Sequence, residues 1–302
     1  MTMRRPNIYA DFEIDRAGHL RRDDDWLESC LRDAASRLIP VWRTRSLVRT
    51  GAEAPESVVL PMDPAIAAEA SLVVFLGLIE EVPHFAVDLS VHEQPPMSDH
   101  GEFTDLRRVG QFMAPGDGGL LAYARAMMTW HARHRFCSAC GGATESKEAG
   151  HVRRCANAEC GTLCFPRTDP AVIMLVHDGG DRVVLGRKAN MLPGQHSILA
   201  GFVEPGESLE DAVAREVFEE VGLRITDTVY HSSQPWPFPA NIMLGFTARA
   251  TTFDLTVDYH ELEDGARWFT RDELRNSPED ATLRLPRRDS ISRRLIDEWL
   301  EE

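Results

Sequence analysis

The spacing of apolar and polar positions changes along this chain, and the changes divide it. Up to about residue 130, short apolar runs alternate with polar stretches. Ser71-Leu-Val-Val-Phe-Leu-Gly-Leu-Ile79, a Glu-Glu-Val-Pro break and His84-Phe-Ala-Val-Asp-Leu89 predict two strands joined by a turn. Polar residues 91–101, which include Pro95-Pro96, predict a loop. Leu120, Leu121, Ala124, Met127 and Met128 then recur at a helical period behind Gly118-Gly119, so residues 120–131 should form a core-facing helix. From Pro170 the pattern alternates. Strands are expected at 171–176 and 182–185, then a Gly/Pro-rich stretch and a helix over 209–221. Further strands are expected at 242–250, 255–257 and 266–269, and a last helix at 290–300. Strands alternating with helices imply an α/β fold for this half, after an α+β N-terminal part.

Length and charge narrow the picture. At roughly 150 residues per domain, 302 residues suggest two domains. No apolar run approaches the ~18 residues of a spanning helix, so no membrane partner is expected. Lys plus Arg number 33 against 48 Asp plus Glu, a net charge of −15, and such a surface disfavours bulk nucleic-acid binding. Residues 1–16 have no apolar leader core and the last residues carry no targeting tripeptide, so a cytoplasmic location is expected.

The cysteines are clustered: five of the six lie from Cys137 to Cys164, and Cys30 stands apart. Cys137-Ser-Ala-Cys140-Gly141 and Cys155-Ala-Asn-Ala-Glu-Cys160-Gly161 each bring two thiolates into a turn that a glycine permits. Cys137, Cys140, Cys155 and Cys160 are therefore the expected Zn²⁺ ligands. Cys164 and His151 compete for the fourth place, with a buried free thiol the expected fate of Cys164. Four thiolates leave no open position, so this zinc should be structural.

A third feature is the run from Gly201-Phe-Val-Glu-Pro-Gly-Glu207 to Arg215-Glu216-Val217-Phe218-Glu219-Glu220-Val221-Gly222-Leu223. Leu209, Val213 and Val217 step by four along one helix side, and Glu216 and Glu220 fall within about 60° of Val213 on that same face. Two carboxylates turned toward the core repel each other unless hard cations bind between them. Glu210 and Asp211, by contrast, suit the helix N-terminus.

The run matches every specified position of the Nudix box and is similar to it throughout. That resemblance implies an α/β/α sandwich around a mixed sheet and Mg²⁺- or Mn²⁺-dependent hydrolysis of a nucleoside diphosphate linked to another group. It implies Glu216, Glu219 and Glu220 as metal ligands, joined by the Ala200 carbonyl, with Glu207 and Arg215 shaping the loop and helix by charge pairing. Which carboxylate deprotonates water stays open.

Downstream, alternating prolines in Ser233-Gln234-Pro235-Trp236-Pro237-Phe238-Pro239-Ala240-Asn241 fix an extended backbone, with Trp236 and Phe238 at one parity. The rings form a platform for flat bases, or they pack in the core. The stretch resembles the signature of the NADH pyrophosphatases, also known as NAD-capped RNA hydrolases, with Asn241 in place of a serine. The ribbon before the Nudix part and the Trp130-His131 segment resemble the same family. The resemblance implies substrate contacts from Gln234 through Asn241, from Phe165 and Phe202, and from Ser292 in Ser290-Ile291-Ser292. It implies a further metal ligand at Glu261, with Glu263 and Asp264 in reserve, and a homodimer.

The expected organisation is an N-terminal α+β domain over 1–131, a zinc ribbon over 132–168 and a Nudix domain over 169–302. The expected reaction cleaves NADH or NAD⁺ to nicotinamide mononucleotide and AMP, with NAD-capped RNA 5′ ends as a further substrate. A broader pyrophosphatase acting on ADP-ribose, and a non-catalytic zinc-ribbon regulator, are the rivals.

Overall fold

A computed structural model describes residues 6–10, 12–51 and 54–302. Of residues 1–16, in which no leader was expected, residues 1–5 and 11 lie outside the described residues. Among the described residues no helix is long and apolar enough to cross a membrane. Two compact units emerge: residues 9–168 with 236–240, and residues 1–8 with 169–235 and 241–302.

The first unit is built on a seven-stranded sheet. Its strands are β1 (Arg37–Trp42), β2 (Arg45–Thr50), β3 (Pro55–Ser57), β4 (Leu60–Pro61), β5 (Leu72–Ile79), β6 (Val82–Asp88) and β7 (Glu102–Thr104). The order is β3-β2-β1-β6-β5, with β4 on β1 and β7 on β2. The pair β5/β6 is the predicted hairpin, whereas β1 and β6 run parallel. Helices α1 (Asp24–Arg32), α2 (Pro64–Glu69), α3 (Leu106–Val109) and α4 (Pro115–Arg133) complete this part. Helix α4 begins five residues before the periodic stretch and carries Gly118 and Gly119 inside it. Space explains this: a Cβ on Gly119 would lie 2.4 Å from Phe12 Cδ1, so the ring takes the place of a side chain. A small sheet follows, ordered β10-β9-β8, from β8 (Thr144–Lys147), β9 (Val152–Cys155) and β10 (Leu163–Cys164). His131 Nε2 and His151 Nε2 tie it inward, to Gly150 O and Phe75 O, both at 2.7 Å.

The second unit is an α/β/α sandwich. Its mixed sheet runs β14-β15-β11-β12-β16, with β13 on β11. The strands are β11 (Asp169–His177), β12 (Arg182–Gly186), β13 (Leu199–Phe202), β14 (Ile225–Trp236), β15 (Asn241–Ala250) and β16 (Ala266–Thr270). The central pair β11/β15 is parallel and in register from Asp169–Asn241 to His177–Arg249. Side chains alternate across β11. Val172, Met174 and Val176 meet Val213, Val217 and Val221 of α5 (Leu209–Val221) on one face. Ile173 and Leu175 meet Leu295, Ile296 and Trp299 of α7 (Ile291–Glu301) on the other, near α6 (Arg271–Arg275). Each such valine, fully buried, contributes about 1.5–3 kcal/mol.

One expected strand is absent. Residues 255–257 are irregular, and residues 256–258 are bonded to the helix end: Thr256 N–H reaches Val221 O at 2.9 Å and Asp258 N–H reaches Glu220 O at 3.0 Å. Those carbonyls end α5 and have no partner within it. The segment caps a helix and so cannot pair as a strand. Gly222, at φ 73°, closes the same helix end.

Candidate active site and zinc cluster

Helix α5 starts at Ser208, whose Oγ accepts from Asp211 N–H at 3.1 Å. Two turns later Arg215 becomes a hub. Its Nε and Nη2 grip Glu207 at 2.6 and 2.9 Å, Nη1 reaches Glu216 at 2.9 Å and Glu219 at 2.8 Å, and Nη2 also donates to Phe202 O at 2.9 Å. The fork holds the Glu207 carboxyl down to about 2, helped by Glu204 N–H. One guanidinium thus fixes the loop 202–207 to the helix and orients two carboxylates beside it.

Strand β13 lies under those carboxylates. A Cβ on Gly201 would sit 1.8 Å from Glu216 Cδ, so the absence of a side chain there makes room for the carboxylate. Burial pushes Glu216 up, partly countered by Arg215. Glu220 is only 1% exposed, and burial pushes its carboxyl up to about 7 against the pull of Lys188. Its Oε2 is buried with no hydrogen-bond partner. Glu216, Glu219, Glu220 and Glu261 line one cavity of about 460 Å³ with Ala200, Phe202 and Asn241. Five glutamates in all face it, against Lys188 and Arg215.

Such a donor set fits divalent cations that prefer oxygen, and the orphaned Glu220 oxygen is a group a cation would satisfy. Of the three candidates in the following loop, Glu261 faces the cavity. Glu263 instead accepts from Ala189 N–H at 2.7 Å, and Asp264 pairs with Arg187.

The sulfurs of Cys137, Cys140, Cys155 and Cys160 lie within 4.8 Å of one another. Cys137 and Cys160 are 3.8 Å apart and Cys140 and Cys155 3.4 Å. Zn–S bonds of about 2.3 Å put tetrahedral sulfurs about 3.8 Å apart, so the thiols fit a structural zinc. Cys164 sits outside the group on β10, opposite Arg153. It is half-exposed, so the expectation of a buried thiol is corrected. His151 is committed to Phe75 O.

Comparison with known proteins agrees with this geometry. Three family models match in tandem: an NADH pyrophosphatase-like rudimentary NUDIX domain over 35–130, an NADH pyrophosphatase zinc ribbon domain over 132–165 and a NUDIX domain over 167–292. NAD-capped RNA hydrolase NudC of Mycobacterium bovis is 41% identical over 236 residues, covering 75% of this chain and 74% of its own. The chain belongs to the NADH pyrophosphatase and NAD-capped RNA hydrolase family of Nudix hydrolases. This Nudix hydrolase is also 41% identical to Nudix hydrolase 19, chloroplastic, of Arabidopsis thaliana over 238 residues, covering 73% of the chain and 54% of that protein. It is 41% identical to human NAD-capped RNA hydrolase NUDT12 over 195 residues, covering 61% of the chain and 42% of that protein. It thus spans about half the length of these two relatives.

The remaining predicted site residues of this Nudix hydrolase fall in both units. Phe202 and Asn241 border the cavity, and Phe202 is 57% exposed. Gln234 is 1% exposed and fully engaged: its Nε2 donates to Asp289 O at 2.7 Å and Ile8 O at 3.1 Å, and its Oε1 accepts from Ile291 N–H at 2.8 Å. Ser292 is buried on Ser197 Oγ at 2.8 Å. Trp236 to Ala240 belong to the first unit. There Phe238 is 6% exposed, T-shaped to Trp236 at 5.1 Å and near Tyr9 at 6.0 Å. Arg107 donates to Phe238 O and Arg125 to Pro237 O, both at 3.1 Å, and both guanidiniums cover the Phe238 ring. The two rings stand at 81° and do not form one flat platform. Phe165 is exposed in the first unit.

Two features escaped sequence reasoning. The N-terminal part matches a second, rudimentary Nudix model, and it carries no box to reveal this. Lys188 lies in the carboxylate cavity, and a lone lysine after a strand gives no signal in sequence.

Proposed function

We propose that this protein hydrolyses the central pyrophosphate of NADH or NAD⁺ to the nicotinamide mononucleotide and AMP, with Mg²⁺ or Mn²⁺. The observation that carries the reading is the convergence of Glu216, Glu219, Glu220 and Glu261 on one cavity, with a buried Glu220 oxygen left unpaired. These carboxylates, with the Ala200 carbonyl, would hold the cations. Bound divalent cations would neutralise the pyrophosphate and acidify the attacking water. Arg215 and Glu207 keep the carboxylates in place, and Gly201 leaves them room.

Phe202 and Asn241, which border the cavity, are the contacts for the nucleotide; Phe165 and the Pro235–Ala240 stretch are carried as contacts by the family resemblance. In this reading Gln234 and Ser292 act from inside, bracing β14 and α7. NAD caps on RNA are a second substrate, supported by the names of the relatives in Mycobacterium bovis and human. A capped 5′ end needs the nucleotide pocket only, so a net charge of −15 is no obstacle. The protein works as a cytoplasmic homodimer organised as 1–131, 132–168 and 169–302, with Zn²⁺ in the ribbon.

The test is purified protein with NADH, and separately with ADP-ribose, in Mg²⁺ or Mn²⁺, products being resolved by chromatography. Reduced nicotinamide mononucleotide plus AMP, formed faster than AMP from ADP-ribose, is expected. Brisk ADP-ribose turnover without NADH cleavage would replace the substrate assignment, and silence on both would replace the enzyme reading.

A further inference from the structure

Lys188 follows β12, and both its neighbours are stapled to the loop after α5. Arg187 N–H donates to Gly265 O at 2.9 Å and its guanidinium pairs with Asp264. Ala189 N–H donates to Glu263 at 2.7 Å. Backbone held on both sides places the Lys188 side chain in the carboxylate cavity. Its Nζ lies 3.5 Å from Glu220 Oε1 and 3.7 Å from Glu261 Oε2. One carboxylate comes from the helix and the other from the loop, and Lys188 is the charged group that reaches both. Arg215, the other cation lining the cavity, is spent on Glu207, Glu216 and Glu219.

We propose that Lys188 is an internal counter-ion: it pairs Glu220 with Glu261 while no divalent cation is bound, and turns to the substrate pyrophosphate once cations take those carboxylates. The inference rests on the hydrolase reading above. A flexible four-carbon stem and a compact ammonium suit this exchange, which a planar, bidentate group would not make as freely. Lys188, at 35% side-chain exposure, has solvent beside it in which to move. Its charge opposes cation entry, and the same charge then helps to hold an anionic substrate.

The experiment compares full-length wild type, Lys188→Met and Lys188→Arg. Mn²⁺ binding without substrate is followed by electron paramagnetic resonance of the free ion, and NADH hydrolysis is followed at saturating Mn²⁺. Lys188→Met should bind Mn²⁺ about three- to tenfold more tightly, the range set by two partly exposed ion pairs. Its KM for NADH should rise more than its kcat falls, and Lys188→Arg should stay near wild type in Mn²⁺ affinity. Unchanged or weaker Mn²⁺ binding by Lys188→Met, or an unchanged KM, overturns the proposal. Wild type that neither binds Mn²⁺ nor cleaves NADH overturns the hydrolase reading instead, so the two failures are distinct.

Discussion

Replacing Glu220 by Gln should stabilise the protein in the absence of divalent cations while ending hydrolysis. The Glu220 carboxyl is pushed from an ordinary 4.5 to about 7, chiefly by burial. A carboxyl whose folded-state value is raised binds its proton more tightly when folded. Its full stability is therefore present below about pH 4.5 and is lost as pH rises through about 7. At 1.36 kcal/mol per tenfold change in proton affinity, the ionised side chain costs the folded state roughly 3 kcal/mol at pH 8. Gln keeps the shape and can still accept from Ala200 N–H, yet carries no charge to bury. Calorimetry at pH 8 without added Mg²⁺ or Mn²⁺ should place the Nudix transition of Glu220→Gln higher by roughly 6–12 °C. The gap should close by pH 4.5. No chelator is used, because it would strip the ribbon of zinc. Saturating Mn²⁺ should reverse the order, since wild type gains more from binding. A variant equal to or less stable than wild type at pH 8, or a gap independent of pH, would refute the reasoning.

Three further outcomes are expected. Gly201→Ala should drive the Glu216 carboxylate from its place, lowering kcat at least a hundredfold with unchanged circular dichroism; retained activity would mean that β13 yields to the added methyl. Cys160→Ser should lose bound zinc by elemental analysis and expose β8–β10 amides to hydrogen exchange, while Cys164→Ser should keep the wild-type zinc content. Burial holds His131 and His151 each at about 4, below an ordinary 6.5. The unfolded chain takes up protons first, so the stability of the first unit should fall from about pH 6.5 to about pH 4, by up to roughly 3 kcal/mol for each histidine. A stability curve of Asn variants at both positions that falls as steeply as wild type would count against that account.

The legible parts of this chain are those where one element explains its own side chains. Leu209, Val213 and Val217 already mark the buried face of α5, and the glutamates among them mark the cavity, because helix geometry alone relates them. Strands β11 and β15 are readable as long apolar runs because both their faces are covered. The unreadable parts depend on distant partners. Gly118-Gly119 reads as the opening of a helix until Phe12 is seen to take the place of a side chain at Gly119, inside α4. Leu255 to Val257 reads as a strand until the Thr256 amide is found on the end of α5. Gln234 and Ser292 read as substrate contacts in a motif, and only the fold shows the three backbone groups and one hydroxyl that they bond. Lys188 acquires meaning only when two loops bring it to carboxylates 32 and 73 positions further along the chain.

The five residues 236–240 belong by their contacts to the first unit, though the chain on both sides belongs to the second. A gene fragment beginning at residue 169 would therefore inherit the whole box yet leave Phe238 without Tyr9, Arg107 and Arg125. The halves of this protein are not interchangeable beads. Recombination that moves the box to a new neighbour carries the carboxylate cavity with it, but leaves the support of the aromatic loop behind.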